Sequence, residues 1–406
     1  MATRLSPALS DALAMVAPGR PLRDGLDRIL RAQRGALLVI GDGPEVLSIC
    51  SGGFLLDSEF SPQRLSELAK MDGAIILAKD ASRIARANVH LVPDASIPTT
   101  ETGTRHRTAE RVARSIDVPV VSVSAAMSLI SVYRNDQKHI VQPTSWLHAR
   151  TDQALATMQR FRNRFDILLN GLSILEVEDT VSIGDVVGVV QAAEMVLRIA
   201  EEVDAYLVEL GEDGRLVGLQ SAELVDGVAP ALHLVVRDYC AGDPHGETVG
   251  AGAHRPSSNS HQGTQPTGDG ASVGQRGHGD SKKSAATKSA TDRLELANRI
   301  VAELSELPPE ELRDPKRVAQ ILCLPGAFDD AHSGIEPRGY RLLYRLPRFS
   351  DAIIERIVDR FLNLQQIMRA SLSELEQVEG VGEARAHSVK DGLARLAEAS
   401  ILERYQ

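Results

Sequence analysis

The residues best suited to chemistry lie in one short stretch, Gly103-Thr104-Arg105-His106-Arg107-Thr108. Two guanidinium groups, an imidazole and two hydroxyls gather there, just where a helix is expected to begin. Ala109, Val112, Ala113 and Ile116 follow at i, i+3, i+4 and i+7, the spacing of one apolar helix face. A helix start offers N–H groups without intrahelical acceptors and the positive end of the backbone dipole. Cations and hydroxyls added to it make a site for phosphate. A second candidate is Asp72-Gly73, within Lys70-Met71-Asp72-Gly73-Ala74, where a helix gives way to a strand. Alone, Asp-Gly is a turn pair. At the end of a sheet strand it stands where α/β domains hold their ligands. The combination points to a nucleotide or polyphosphate.

The elements that must position these residues alternate. Leu9 to Val16 and Leu22 to Leu30 read as helices, and Ala36 to Ile40 as a buried strand. Ser61-Pro62 opens a further helix, with serine as N-cap and proline in the first turn. Ala74 to Leu77, Val89 to Val92, Val118 to Val123, Leu129 to Tyr133 and His139 to Val141 read as strands. Interleaved strands and helices predict an α/β domain over residues 1–146, a mixed sheet covered by helices.

Residues 147–334 are expected to form an all-α connecting domain. One apolar stripe runs from Leu155 to Leu169 and another from Val189 to Val203. Within it, 241–290 contains no Leu, Ile, Phe, Tyr or Trp and is rich in Gly, Ser, Thr and Gln. Such a segment buries too little apolar surface to offset its ordering entropy, so a disordered insertion is expected. Its histidines, His245, His254, His261 and His278, read as parts of a solvated linker rather than as metal ligands.

The last segment, 335–406, repeats a pattern. Leu342-Leu343, Leu346-Pro347-Arg348 and Ile353 to Phe361 form one helix–turn–helix unit. Leu375, Val378, Gly380-Val381-Gly382 and Ala384 to Leu396 form a second. The pair is similar to a tandem helix-hairpin-helix domain, which holds DNA by its backbone. Gly380, Val381, Gly382 and Arg385 are the candidate contacts, with Arg338, Arg341, Arg345, Arg348 and Lys390 as further cations. The segment carries 11 basic and 11 acidic residues, so its DNA affinity should be weak and salt-sensitive per copy.

The bulk numbers exclude several classes. The net charge of −10 argues against a chain-wide basic surface, and 3% aromatic content against base stacking. Cys50, Cys240 and Cys323 have neither disulfide nor zinc spacing and suit a reducing compartment. No signal peptide is expected, and no apolar run approaches the roughly 20 residues that span a bilayer, so a soluble cytoplasmic protein is expected. No acidic cluster suggests a two-metal nuclease.

Three stretches together carry a resemblance: Glu67 to Ala74, Ala87-Asn88-Val89-His90-Leu91, and Glu101 to Arg111. With the terminal Gly380-Val381-Gly382, they resemble the diadenylate cyclase family, in its DisA branch of bacterial DNA-integrity scanners. The likeness runs through nearly the whole chain in one domain order, interrupted by 241–290. It implies condensation of two ATP into cyclic di-AMP with release of two pyrophosphates, chemistry that depends on alignment and charge neutralisation. By the same resemblance, Arg105, His106 and Arg107 grip phosphates, helped by Thr104 and Thr108. Asp72 binds Mg²⁺ or Mn²⁺, or orients and deprotonates the 3′-hydroxyl. Gly73 lets backbone approach the ribose, Leu91 lies against adenine, and Ser124 reaches the phosphates. Two such domains must face each other across a twofold axis, each clamp answered by the opposing carboxylate. The family's assembly implies an octamer of four such pairs, with branched DNA as the regulating partner. The alternative is a non-catalytic, nucleotide-sensing DNA-junction binder.

Overall fold

Ser6 and Ser61 each accept a backbone N–H three residues on, and each is followed by proline; the Ser61 start is the one expected, whereas the first helix opens ahead of the expected Leu9. The computed structural model describes residues 6–240, 280–324 and 333–403. Two helices come first, α1 (Pro7–Met15) and α2 (Pro21–Arg31). Then follow β1 (Ala36–Ile40), α3 (Pro44–Ser48), β2 (Cys50–Ser51), β3 (Phe54–Glu59), α4 (Pro62–Leu68), β4 (Ala74–Leu77) and β5 (Arg83–Leu91). The domain continues with α5 (Thr104–Ser115), β6 (Val120–Ser124), β7 (Leu129–Arg134) and β8 (Gln137–Val141).

The strands form one eight-stranded mixed sheet in the order β2-β5-β4-β1-β6-β7-β8, with β3 also on β5. β1 and β4 run parallel and the other pairs antiparallel. Every residue of β1 is apolar and buried because both sheet faces are covered. Leu38 and Ile40 face a core shared with α1, α2 and α4, including Leu13, Leu26 and Leu65. Leu37 and Val39 face the opposite core, against Ala109, Val112 and Ala113 of α5. The α/β expectation therefore holds for this domain. Three elements were not expected: α3, β2 and β3. Phe54, Leu55 and Leu56 of β3 are exposed, and a register shift between Leu55 and Ser58 breaks its alternation.

The helical region follows: α6 (Thr144–Glu178), α7 (Ile183–Leu210), a 3-10 turn at Gly211–Gly214, α8 (Arg215–Val225) and α9 (Val228–Tyr239). The expected insertion lies outside the described residues up to 279. From 280 the chain is helical, in α10 (Asp280–Glu306), so the unstructured stretch cannot extend to 290 as expected. The Lys- and Ala-rich sequence from 281 favours helix. Then come α11 (Pro309–Arg313), α12 (Pro315–Ile321), α13 (Tyr340–Tyr344), α14 (Asp351–Phe361), α15 (Leu364–Arg369), α16 (Leu372–Glu376) and α17 (Glu383–Glu403).

By packing, the chain divides into two compact units. Residues 1–160 with 198–226 form one, and 161–197 with 227–406 the other. In the second, α13–turn–α14 and α16–turn–α17 are the two anticipated helix pairs, around Leu343, Ile354, Ile357, Leu375 and Val389. Arg348, in the first turn, has a left-handed φ of +71°.

That second unit buries an ionic cluster. The Asp238 carboxylate accepts the backbone N–H groups of Gly339, Tyr340 and Arg341 at 2.6–2.8 Å, capping α13. Glu176 accepts from Arg341 Nη1 and from the Tyr239 hydroxyl, both at 2.7 Å. Arg237 stacks 4.3 Å over the Tyr340 ring and pairs with Glu355. These contacts tie the end of α6 and α9 to the C-terminal helices within this unit. They also remove Arg341 from the candidate DNA contacts, because it is buried. Arg338 and Lys390 are tied to backbone carbonyls, of Arg237 and Met368.

Candidate active site

The sheet topology brings the candidate residues to one end. β1 and β4 begin there, after Gly35 and Gly73, and β5 and β6 finish there, at Leu91 and Ser124. These four strands are neighbours, so residues 35, 73, 91 and 124 share a sheet edge although they are far apart in sequence.

The basic cluster occupies the first turn of α5, with Gly103 as N-cap. Arg105 leaves that turn and pairs with the Asp72 carboxylate. The Asp72 side chain is otherwise 91% exposed. Arg105 lies over Gly35: a Cβ there would stand 2.6 Å from its Nη1 and 3.3 Å from the Val123 carbonyl oxygen. The carboxylate and the cationic helix start therefore meet within one chain, whereas the resemblance implied a clamp answered by the carboxylate of a facing subunit. Arg107 is exposed and makes no side-chain hydrogen bond or ion pair among the described residues, which leaves its guanidinium open to a ligand. Thr104 is likewise exposed and Thr108 half-buried.

Gly73 is hemmed in by its own sheet. A Cβ would fall 2.4 Å from the carbonyl carbon of Asn88. Asn88 has φ +53° and lies in the irregular part of the β4–β5 ladder. The close approach is thus between two strands of the same sheet. Leu91 is only 6% exposed, within the α5-side core, so little of it faces outward. Ser124 is half-buried at the end of β6, and its hydroxyl accepts the Met127 N–H at 3.4 Å.

The loop before α5 is fastened by groups whose roles the sequence did not reveal. Glu110 accepts from the Thr99 hydroxyl and from the Thr100 N–H at 3.0 Å. Burial raises the Glu110 pKa, but these bonds and Arg114 outweigh it and hold the carboxyl below its ordinary value. Arg111 donates to the carbonyls of Ile97 and Ala95, and Arg114 to that of Pro98.

His106 is half-buried, its Nδ1 2.9 Å from the Tyr133 hydroxyl. Tyr133 donates to Glu101 at 3.1 Å, and Lys138 Nζ lies 2.5 Å from the same carboxylate oxygen. Burial lowers the His106 pKa, and Lys138 and Arg105 lower it further against the opposing pull of Glu101. Burial raises that of Tyr133 far above the usual phenol, with Glu101 adding to the shift. Glu101 adjoins the basic motif and was visible there. Tyr133 and Lys138 carry no sequence signal beyond strand periodicity.

Residues 23–138 match the family model described as DisA bacterial checkpoint controller nucleotide-binding. Residues 141–254 match the DisA bacterial checkpoint controller linker region. A protein of Acidothermus cellulolyticus called DNA integrity scanning protein DisA is 46% identical over 98% of this chain and 95% of its own. Its namesake in Parafrankia is 44% identical over 97% and 96%. The chain belongs to the DisA family. The nucleotide-binding match contains Asp72, Gly73, Leu91, Ser124 and the whole basic turn, and the DisA linker match begins at the end of β8.

In the second unit, Gly380 and Gly382 lie in the turn between α16 and α17 and both are exposed. Arg385 is exposed and donates to the Gly380 carbonyl at 2.6 Å. Val381 is a core residue, 3% exposed, and its N–H is spent on the Val378 carbonyl. It therefore has neither side chain nor N–H to offer DNA. Arg345 and Arg348 of the other turn are exposed, without ion-pair partners among the described residues. No described helix is long and apolar enough to cross a membrane.

Proposed function

We propose that the chain condenses two ATP molecules into cyclic di-AMP and two pyrophosphates, under control of branched or damaged DNA. Membership of the DisA family makes it a diadenylate cyclase. The observation that carries the site assignment is the meeting of Asp72 with Arg105 at the start of α5.

Arg105 and Arg107 neutralise the triphosphate, whose charge the first turn of α5 also attracts. Thr104 and Thr108 donate hydroxyl hydrogen bonds, and Ser124 meets the phosphates from the end of β6. Leu91 contributes its small exposed edge to the adenine. A triphosphate competes with Asp72 for Arg105. When it arrives, the carboxylate is released towards the 3′-hydroxyl of the nucleotide on the facing subunit.

Asp72 is one exposed carboxylate, and no group of three or more metal-ligating side chains exists among the described residues. That donor set suits Mg²⁺ or Mn²⁺ delivered with the triphosphate, since Mg²⁺ is commonly held by one or two carboxylates plus phosphates. Asp72 would hold it, and the ion would add charge neutralisation at the phosphates. Each chain has one clamp, whereas a cyclic product requires two transfers. Face-to-face dimers, assembled as an octamer, meet that requirement.

For DNA, Gly380, Gly382 and Arg385 form the proposed phosphate contact, with Arg345 and Arg348 on the companion turn. Incubation with ATP and Mn²⁺ should yield a cyclic dinucleotide detectable by mass. Asp72→Asn should abolish it while ATP still binds; unchanged turnover would remove Asp72 from the mechanism. Nucleotide binding by the wild-type chain without pyrophosphate release would favour the non-catalytic junction binder. Adding four-way junction DNA should change the turnover.

A further inference from the structure

Hydrogen-bond valence determines the proton positions beside the clamp. An ionised Glu101 only accepts, and Lys138 Nζ lies 2.5 Å from its Oε1. Tyr133 has one proton and gives it to Glu101. Its oxygen then has only lone pairs to offer His106, so Nδ1 must carry the imidazole proton. In neutral His106 this leaves Nε2 bare. Nε2 has no protein partner among the described residues. Its neighbour Cδ2 lies 3.4 Å from where a Gly103 Cβ would stand, at the exposed opening of α5.

Resting on the cyclase reading above, we propose that Tyr133 is a positioning residue for His106. It fixes the tautomer with Nε2 unprotonated in the empty site, so His106 joins the triphosphate only by taking up a proton at Nε2. The charged groups around the ring are Glu101, Lys138 and Arg105, with the Tyr133 hydroxyl at Nδ1. Burial, with Lys138 and Arg105, disfavours the imidazolium in the unliganded site, against the opposing pull of Glu101. A polyanion at the helix start reverses that balance. Proton, phosphate and ring then form one unit: Nδ1–H donates to Tyr133 and Nε2–H donates to a phosphate oxygen. The proton comes from solvent, and no bond to phosphorus changes in this step.

Two measurements on the full-length protein test this. The first is proton uptake on binding a non-hydrolysable ATP analogue, measured by calorimetry in buffers of different ionisation enthalpy. The second is turnover of ATP to the cyclic dinucleotide. Wild type should take up a fraction of a proton per site at pH 7.5. Tyr133→Phe keeps the ring but removes the acceptor for Nδ1–H. It should cut kcat by about 10- to 100-fold, the range seen when a metal-bound histidine loses its orienting partner. Uptake should fall as well, because the imidazolium has lost a partner. Glu101→Gln is the second variant. Its amide lets the tyrosine turn round and donate to Nδ1, which moves the imidazole proton to Nε2, so uptake should fall there too. Should Tyr133→Phe fail to fold, Glu101→Gln decides alone. Wild-type uptake and kcat in a folded variant would overturn the proposal. A wild-type protein that makes no cyclic product, yet shows the uptake and loses it on substitution, would overturn the cyclase reading and leave the tautomer assignment standing.

Discussion

A methyl group at residue 35 would meet the end of a long, flexible side chain, whereas one at residue 73 would meet backbone. The two glycines therefore answer to different penalties. In Gly35→Ala the Arg105 guanidinium swings aside cheaply, so stability should hardly change. The clamp loses its resting place, and the KM for ATP should rise several-fold in steady-state assays. In Gly73→Ala the new atom lies 2.4 Å from a main-chain carbon, and the β4–β5 ladder must shift. Overpacking of this kind costs about 1–3 kcal/mol, visible as a lowered denaturation midpoint along with lost activity. Gly73 was legible as essential from its motif, but its reason was not. Nothing near Gly73 in the sequence announces that Asn88 will press against it. The Tyr133–His106 contact is hidden for the same cause, since it joins residues 27 apart through a sheet that exists only once folded.

Among the elements, α13 depends on one side chain. Five residues are too few to sustain a helix by their own hydrogen bonds, so the Asp238 carboxylate supplies acceptors for the N–H groups of the N-cap Gly339 and of the first two helical residues, Tyr340 and Arg341. Asp238→Ala would leave those donors and Arg341 buried without it. Losing one member of such a buried cluster costs about 3–5 kcal/mol, which should appear in urea unfolding of the second unit's helices. Helix starts were the most readable elements: capping residue, proline and apolar spacing agree at Ser61-Pro62, and apolar spacing alone marks α5, whose N-cap is Gly103. Strands with both faces buried, β1 and β4, were readable as short apolar runs. β3 was not: its apolar residues face outward, Asp57 adopts φ +45°, and Gly52-Gly53 precede it, so the stretch resembles a loop.

The two units differ in how pH reaches them. Burial pushes the Glu176 carboxyl up to about 7, against the pull of Arg341. A carboxyl raised above its unfolded value favours folding while protonated. That contribution is complete below the unfolded value and disappears as pH climbs through about 7. Glu176→Gln abolishes this titration. Whatever its offset at pH 5, the melting temperature of the variant relative to wild type should move in the variant's favour by pH 8. A constant difference would mean that Glu176 stays charged throughout. The nucleotide site belongs to the other unit, so its activity profile should not follow this transition in the isolated nucleotide-binding reaction.

Arg348 is the odd member of its turn. Left-handed backbone costs a residue with a side chain about 1–3 kcal/mol where glycine would sit at ease. Had the chain needed only to reverse direction there, a bare α-carbon would have served better. Arg348→Gly should therefore melt later than wild type and leave a DNA column at lower salt. Such opposed outcomes would mark a place where durability has been traded for an exposed positive charge.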